Sequence, residues 1–252
     1  MIDLDKLFEE YFKKFMAKNL GKLSEDEIEN RVPELYTEFG NKPNDKLGGK
    51  SPKEFFASYT DEELIDTLKE SVKNGVEVSS FLCDEIEKRE DILGKLSSLV
   101  SVESGDELAT YAVNMLSAKK LDKKDLERFV EVLADENVGE SLSEALTEFL
   151  RDNGDAVKEK VIAEYGTNRK CKANLLEIMS RTSRDDRIFN ILCDELEHDD
   201  KNIALNASYV ARYGDERVLP LLEKMIKRDN VSKYDLKELK NAFEELGGEL
   251  PS

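Results

Sequence analysis

The stretch DDKNIALNASYVARYGDERVLPLLEKMI, residues 199–226, carries the pattern that decides the fold. In its first half, small or apolar side chains recur every three or four residues, as at Ala207 and Val210. The pair Gly214–Asp215 then interrupts the pattern, and a second apolar series begins at Val218. Spacings of three and four residues mark one face of an α-helix, and glycine favours a helix end. The stretch therefore predicts two amphipathic helices joined by a short turn.

The same unit recurs along the C-terminal third of the chain. The segments GDAVKEKVI (154–162), DDRIFNILCDEL (185–196) and GDERVLPLLEKMI (214–226) share an acidic residue, a variable residue and then Val or Ile, at steps of 31 and 30 residues. Another amphipathic segment precedes each of them. A period near 30 residues with two helices per unit is typical of a helical solenoid.

The unit at 199–226 resembles a HEAT-like repeat. It has an acidic turn, a first helix with the small residues Ala207 and Ala211, the turn at Gly214–Asp215, and RVLPLL (217–222) opening the second helix. Short units of this type are similar to those of bilin lyases and of many bacterial scaffold proteins. The resemblance implies a right-handed α-solenoid that binds a partner along one face, and it implies no single activity.

The resemblance extends through residues 155–198, weakens over 60–154 and is absent from 1–59. The segment PNDKLGGKSPKEFF (43–56) is similar to a turn in uncharacterised bacterial helical proteins, a short match without chemical content. We expect an N-terminal helical region with a linker at residues 1–50 and a HEAT-like array at 51–252.

Composition favours helix along the whole chain. Of the 252 residues, 37% are charged and 39% are hydrophobic, and there are five Pro and no Trp. No segment alternates apolar and polar residues in the manner of a strand, so we predict an all-α fold. The predicted helices lie near 3–19, 24–39, 52–58, 61–73, 79–89, 91–100, 105–118, 123–134, 142–151, 155–165, 171–182, 185–197, 202–213, 216–228 and 233–246, with Pro33 kinking or splitting the second.

Capping boxes support these helix starts. In this motif, Ser or Thr at the N-cap and Glu three residues later satisfy each other's free backbone N–H groups. The pattern occurs at Ser24–Glu27, Ser51–Glu54, Thr60–Glu63, Ser104–Glu107 and Ser141–Glu144, and Asp122 and Asp215 offer simpler caps.

The segment LGGKSP (47–52) also resembles the end of a phosphate-binding loop. That motif requires a first glycine at position 44, which is Asn44, and a buried strand before it. Ser51 is instead followed by Pro52 and Glu54, which favours a helix start over a phosphate site at Lys50.

Charge and cysteine content restrict the partners and the compartment. The net charge is −18; residues 155–252 hold 17 basic and 20 acidic side chains, and residues 1–154 hold 21 and 36. This acidity argues against nucleic acid and anionic membranes and favours a protein partner with a basic surface that meets the N-terminal part. Three widely spaced cysteines, no CxxC pair, no signal-peptide pattern and no apolar run of membrane length favour the cytoplasm.

One basic cluster stands out from the acidic background. It consists of Arg169, Lys170, Lys172, Arg181, Arg184 and Arg187. Such residues at helix ends could line a groove and hold a phosphate or a nucleic acid. Asp185 and Asp186 neutralise part of the cluster, and the competing interpretation is a solvated turn with local ion pairs.

No catalytic or cofactor-binding set emerges from the residues. His198 is the only histidine, and its neighbours Asp199 and Asp200 match a helix end better than a known metal motif. Cys83 and Cys193 lie among apolar residues and indicate inert thiols. We therefore favour a non-catalytic protein-binding scaffold without a cofactor or a metal. The alternatives are phosphate or nucleic-acid binding through the basic cluster, and a lyase-like enzyme acting on a bound small molecule.

Overall fold

The computed structural model describes residues 2–19, 21–167 and 170–249, and within them every regular element is helical. The all-α prediction is confirmed. The α-helices are α1 (Leu4–Asn19), α2 (Glu25–Glu29), α3 (Val32–Gly40), α4 (Pro52–Ala57), α5 (Asp61–Lys73), α6 (Ser80–Glu87), α7 (Leu93–Leu99), α8 (Asp106–Leu116), α9 (Lys123–Ala134), α10 (Glu140–Asp152), α11 (Gly154–Thr167), α12 (Lys172–Met179), α13 (Asp186–His198), α14 (Ile203–Tyr213), α15 (Leu219–Ile226) and α16 (Lys233–Glu245). Short 3-10 turns occupy Asp45–Leu47, Val102–Ser104 and Glu216–Val218.

Three of the predicted capping boxes form as expected. Ser24, Ser51 and Thr60 each accept a hydrogen bond from the N–H of the Glu three residues later, and that Glu accepts one from the cap's own N–H. Each bond satisfies a backbone donor that the first helical turn leaves unpaired. Asp122 caps α9 in the simpler manner, by accepting from the N–H of Asp125 at 2.8 Å.

The other two predicted boxes are wrong. Gly105 separates Ser104 from α8, and Ser104 instead donates its N–H to Ser101 at 3.3 Å within a 3-10 turn. Ser141 lies inside α10, whose N-cap is Gly139. There the carboxylate of Asp106 accepts the N–H of Leu142 at 2.9 Å, so a residue distant in sequence satisfies this helix start.

Proline positions explain two differences in helix boundaries. The predicted helix 24–39 is divided into α2 and α3, and Pro33 lies in the first turn of α3. The predicted helix 216–228 begins as a 3-10 turn and becomes α15 at Leu219, with Pro220 in its first turn. Proline is suited to these positions because an N–H in the first helical turn has no partner within the helix. The lack of an N–H in proline therefore costs no hydrogen bond there.

The described residues group into two compact units, one of residues 2–100 and 107–119 and the other of 101–106 and 120–249. The predicted boundary between the N-terminal region, which ends at residue 50, and the repeat array, which begins at residue 51, lies inside the first unit. In that unit α1 packs on α3, and α4 and α5 pack on α6. An aromatic cluster joins these helices: the rings of Tyr36 and Phe81 stack at 5.0 Å, and Phe39 packs beside both.

The second unit is a stack of helices that pack on one another. α9 packs on α11, α10 on α12, and α14 on α16, while neighbours in sequence also pack together, as α13 does on α14. Hydrogen bonds between successive helix pairs of this unit join residues about 30 positions apart. For example, the Asp185 N–H donates to the Tyr213 hydroxyl at 2.6 Å, and Arg184 donates to the Gly214 carbonyl at 3.0 Å.

Candidate interaction surfaces

The basic cluster predicted from the sequence is divided between two places in the second unit. Arg169 lies outside the described residues. Lys170 and Lys172 lie at the start of α12, whereas Arg181 follows its end. Because α12 has eight residues, it separates these groups by about 12 Å along its axis. Arg184 and Arg187 belong to the next turn and to the start of α13.

Most of these side chains are held by partners within the protein. The Arg187 guanidinium forms a bidentate pair with Glu159, at 2.8 and 2.6 Å, and also pairs with Asp185 at 2.7 Å. These hydrogen bonds from Arg187 lower the pKa of Asp185 to about 2. Lys170 donates to the Glu136 carbonyl. The Arg181 side chain is exposed, and it forms no hydrogen bond or ion pair with the residues that the structure describes.

Lys172, whose side chain is 40% exposed, belongs to a partly buried polar network that the sequence analysis missed. Its ammonium lies 2.6 Å from a carboxylate oxygen of Glu195, whose side chain is only 6% exposed. The Tyr165 hydroxyl donates to the same oxygen, and the Asn206 amide donates to the Glu195 main-chain carbonyl at 3.1 Å. Burial, together with the hydrogen bond from the Tyr165 hydroxyl to Glu195, raises the pKa of Tyr165. The network joins α11, α12, α13 and α14, so its evident role is to hold these helices together.

His198 occupies a solvent-exposed helix end. Its Nδ1 lies 3.0 Å from the main-chain carbonyl and 3.1 Å from the carboxylate of Asp194, one turn earlier in α13. Asp199 accepts from Asn202 at 2.9 Å, and Asp200 pairs with Arg228 at 3.2 Å. Over the described ranges, no three His, Cys, Asp or Glu side chains are grouped so that they could hold a metal ion.

The thiols are shielded from solvent. Cys171 is buried, and Cys83 and Cys193 are half-buried. Burial raises the pKa of both Cys83 and Cys193 to about 11. Reactive cysteines have a lowered pKa in an electropositive setting, so these surroundings agree with inert thiols.

The LGGKSP segment starts a helix. Ser51 caps α4, and the Lys50 ammonium donates to the Ser58 hydroxyl at 2.8 Å. Gly48 and Gly49 have φ of +65° and +82°, values that glycine adopts readily, and they turn the chain towards the cap.

A groove between α14 and α16 has the features of a binding surface. Its volume is about 390 Å³, and its lining includes Leu205, Ser208, Tyr234 and Glu238. Leu205 is 41% exposed and Tyr234 is 68% exposed, and both are large apolar residues with little cover. Asp235 forms part of the wall, where it accepts the N–H of Ala204 at 3.2 Å and so ties α16 to the start of α14.

The sequence contains a weak signal for this groove. Leu205 falls outside the buried face of its helix, between the buried positions Ile203 and Asn206. Tyr234 follows Lys233 at the start of α16. Single exposed apolar residues are common on protein surfaces. Only the packing of α14 on α16 brings these two into the lining of one groove.

Comparisons of the chain with protein-family models, with curated proteins and with solved structures give no match. Across the residues that the structure describes, no helix combines the length and the apolar character needed to cross a membrane.

Proposed function

We propose that the chain is a non-catalytic scaffold that binds a protein segment in the groove between α14 and α16. In this proposal, the stack from α9 to α16 is a right-handed solenoid of HEAT-like helix pairs. The carrying observation is the placement of exposed Leu205 and Tyr234 on one groove beside acidic Glu238. Alternating helix contacts and polar bonds between residues about 30 positions apart support the repeat assignment.

The chemistry of the groove favours one class of partner. Tyrosine is enriched among the residues that dominate binding energy, because it supplies a large apolar area and a polar tip. Asp235 and Glu238 outnumber Lys201 in the lining, and residues 155–252 hold 20 acidic against 17 basic side chains. A segment with an apolar anchor next to Lys or Arg therefore fits the groove, and the attraction steers its approach.

The two alternatives have less support. Binding of phosphate or nucleic acid through the basic cluster would require Arg187 and Lys172 to leave Glu159 and Glu195, their partners at 2.6 Å. A lyase-like enzyme would need a reactive group in an enclosed site, whereas His198 is 67% exposed.

Selection from a displayed peptide library tests the proposal. We expect enriched peptides to share an apolar residue beside Lys or Arg. They should bind a Leu205→Ser/Tyr234→Ser double variant at least about tenfold more weakly, because each anchor contributes on the order of 1 kcal/mol or more.

Ile2→Ser is the matched control, since Ile2 is 39% exposed and lies in the first unit. Circular dichroism of the double variant checks that its fold is retained. Peptides that bind the double variant as tightly as the unchanged protein would contradict the groove as the binding site.

A further inference from the structure

A cavity in the first unit gathers lysines within the most acidic part of the chain. It lies between α1 and the loop that follows α3, and it measures about 400 Å³. α1 contributes Leu7, Glu10, Tyr11 and Lys14, spacings that place them on one helical face. The rest of the lining is Phe39, Lys42, Pro43, Asn44, Asp45 and Lys46.

The lysines are not equally neutralised. The Lys46 ammonium lies 2.8 Å from both carboxylate oxygens of Glu10. This hydrogen bond holds the pKa of Glu10 below its usual range, and the charges of Lys14 and Lys13 add to the effect. Glu10 is therefore neutralised by Lys46. Among the charged residues that remain in the lining, Lys14 and Lys42 are balanced by one carboxylate, that of Asp45.

An aromatic and apolar wall lies beside these charges. The Lys42 ammonium lies 5.1 Å from the centre of the Tyr11 ring, and that ring packs 5.8 Å from Phe39. The Tyr11 hydroxyl donates to Glu38 at 3.1 Å, which fixes the ring's position. Pro43 extends the accessible part of this wall, and Leu7 and Phe39, which are 6% and 2% exposed, support it from beneath.

We infer that this cavity binds a small phosphorylated ligand with a planar body, of the nucleoside monophosphate type. A phosphate monoester carries about −1.5 to −2 charges at neutral pH. It therefore matches two ammonium groups better than a ligand with a single carboxylate would. The planar part would lie against the apolar wall, and the volume falls within the range of small-molecule sites, about 300–1,000 Å³. The inference is independent of the groove between α14 and α16.

Titration of the full chain with AMP and with UMP, followed by calorimetry and by protein-observed NMR, tests this inference. We expect sub-millimolar binding, with adenosine and inorganic phosphate each binding at least about tenfold more weakly because each lacks one half of the recognition. Lys14→Gln and Lys42→Gln should each weaken AMP binding by about tenfold, the effect of losing one charge-assisted hydrogen bond.

Lys13→Gln is the matched control, because Lys13 is the neighbour of Lys14 in α1, pairs with Glu9 at 3.3 Å and does not line the cavity. It should leave AMP binding within about twofold, the effect of a surface charge. Failure of both nucleotides to bind at millimolar concentration would overturn the inference. Equal weakening by Lys13→Gln and Lys42→Gln would also overturn it, since that result would indicate general attraction to the surface.

Discussion

Single residues in the second unit repeat the same bonding pattern. Asp185 and Asp215 each accept the N–H of an Arg two residues later, at 2.9 and 3.1 Å, and each also pairs with that side chain. Arg187 then reaches back to Glu159 and Arg217 to Asp186, at 2.6 and 2.9 Å. Arg187, which belongs to the predicted basic cluster, thus connects successive turns of the second unit, as Arg217 does one turn later.

The ion pair between Lys172 and Glu195 provides a prediction at this scale. Lys172→Met leaves a buried carboxylate without its cation, so we expect the free energy of unfolding to fall by about 2 kcal/mol, as measured by urea denaturation. Lys172→Arg retains the charge and should lose less. The double variant Lys172→Met/Glu195→Leu removes the stranded charge and should recover part of the loss. A single Lys172→Met change without effect would contradict the structural role of this network.

Among the elements, the junction of α3 and α6 depends on a missing side chain. Gly40 ends α3, and a Cβ at this position would lie 2.5 Å from Cε1 of Phe81. Phe81 is itself fixed by its stack on Tyr36. The ring therefore has little freedom to retreat, and Phe81 packs against the end of α3 only because residue 40 is glycine.

Gly40→Ala should consequently lower the free energy of unfolding by about 1–3 kcal/mol, the cost of overpacking a filled site. Thermal and urea denaturation measure the change. Gly94→Ala is the matched control, since Gly94 lies in α7 with open space around its Cβ position. There alanine should stabilise the helix by about 0.5–1 kcal/mol. The same change in stability at both sites would show that contact with Phe81 does not matter.

For the whole molecule, the arrangement of helices determines how far a disturbance spreads. In the second unit each helix packs on at least one neighbour in sequence and on at least one helix two positions away, as α14 does on α13 and on α16. For the solenoid of helix pairs proposed above, stability would be approximately a sum of local terms. A defect at one end should therefore remain near that end.

Leu239→Ala tests this expectation, because Leu239 is fully buried in α16. A cavity there costs about 2–5 kcal/mol. Hydrogen exchange followed by mass spectrometry should show faster exchange in α14, α15 and α16 than in the unchanged protein, while α9 and α11 keep their protection. A uniform acceleration across the unit would indicate one cooperative core and would contradict the repeat assignment.

The sequence by itself determined the all-α class, nearly every helix and most helix starts. These features depend on side chains within about four residues of each other, as at Ser51 and Glu54, and local patterns therefore reveal them. The start of α10 escaped prediction because its N–H partner is Asp106, 36 residues before Leu142.

Only the tertiary structure decided which charges are neutralised within the protein and which apolar groups share a surface. Arg187 and Lys172 are neutralised by Glu159 and Glu195, which lie 28 and 23 residues away in sequence. Leu205 and Tyr234 share a groove because α14 packs on α16. Lys14 and Lys42 line one cavity because the loop after α3 folds back on α1. The physical reason is that helix formation depends on neighbours along the chain, whereas a binding site depends on which distant surfaces pack together.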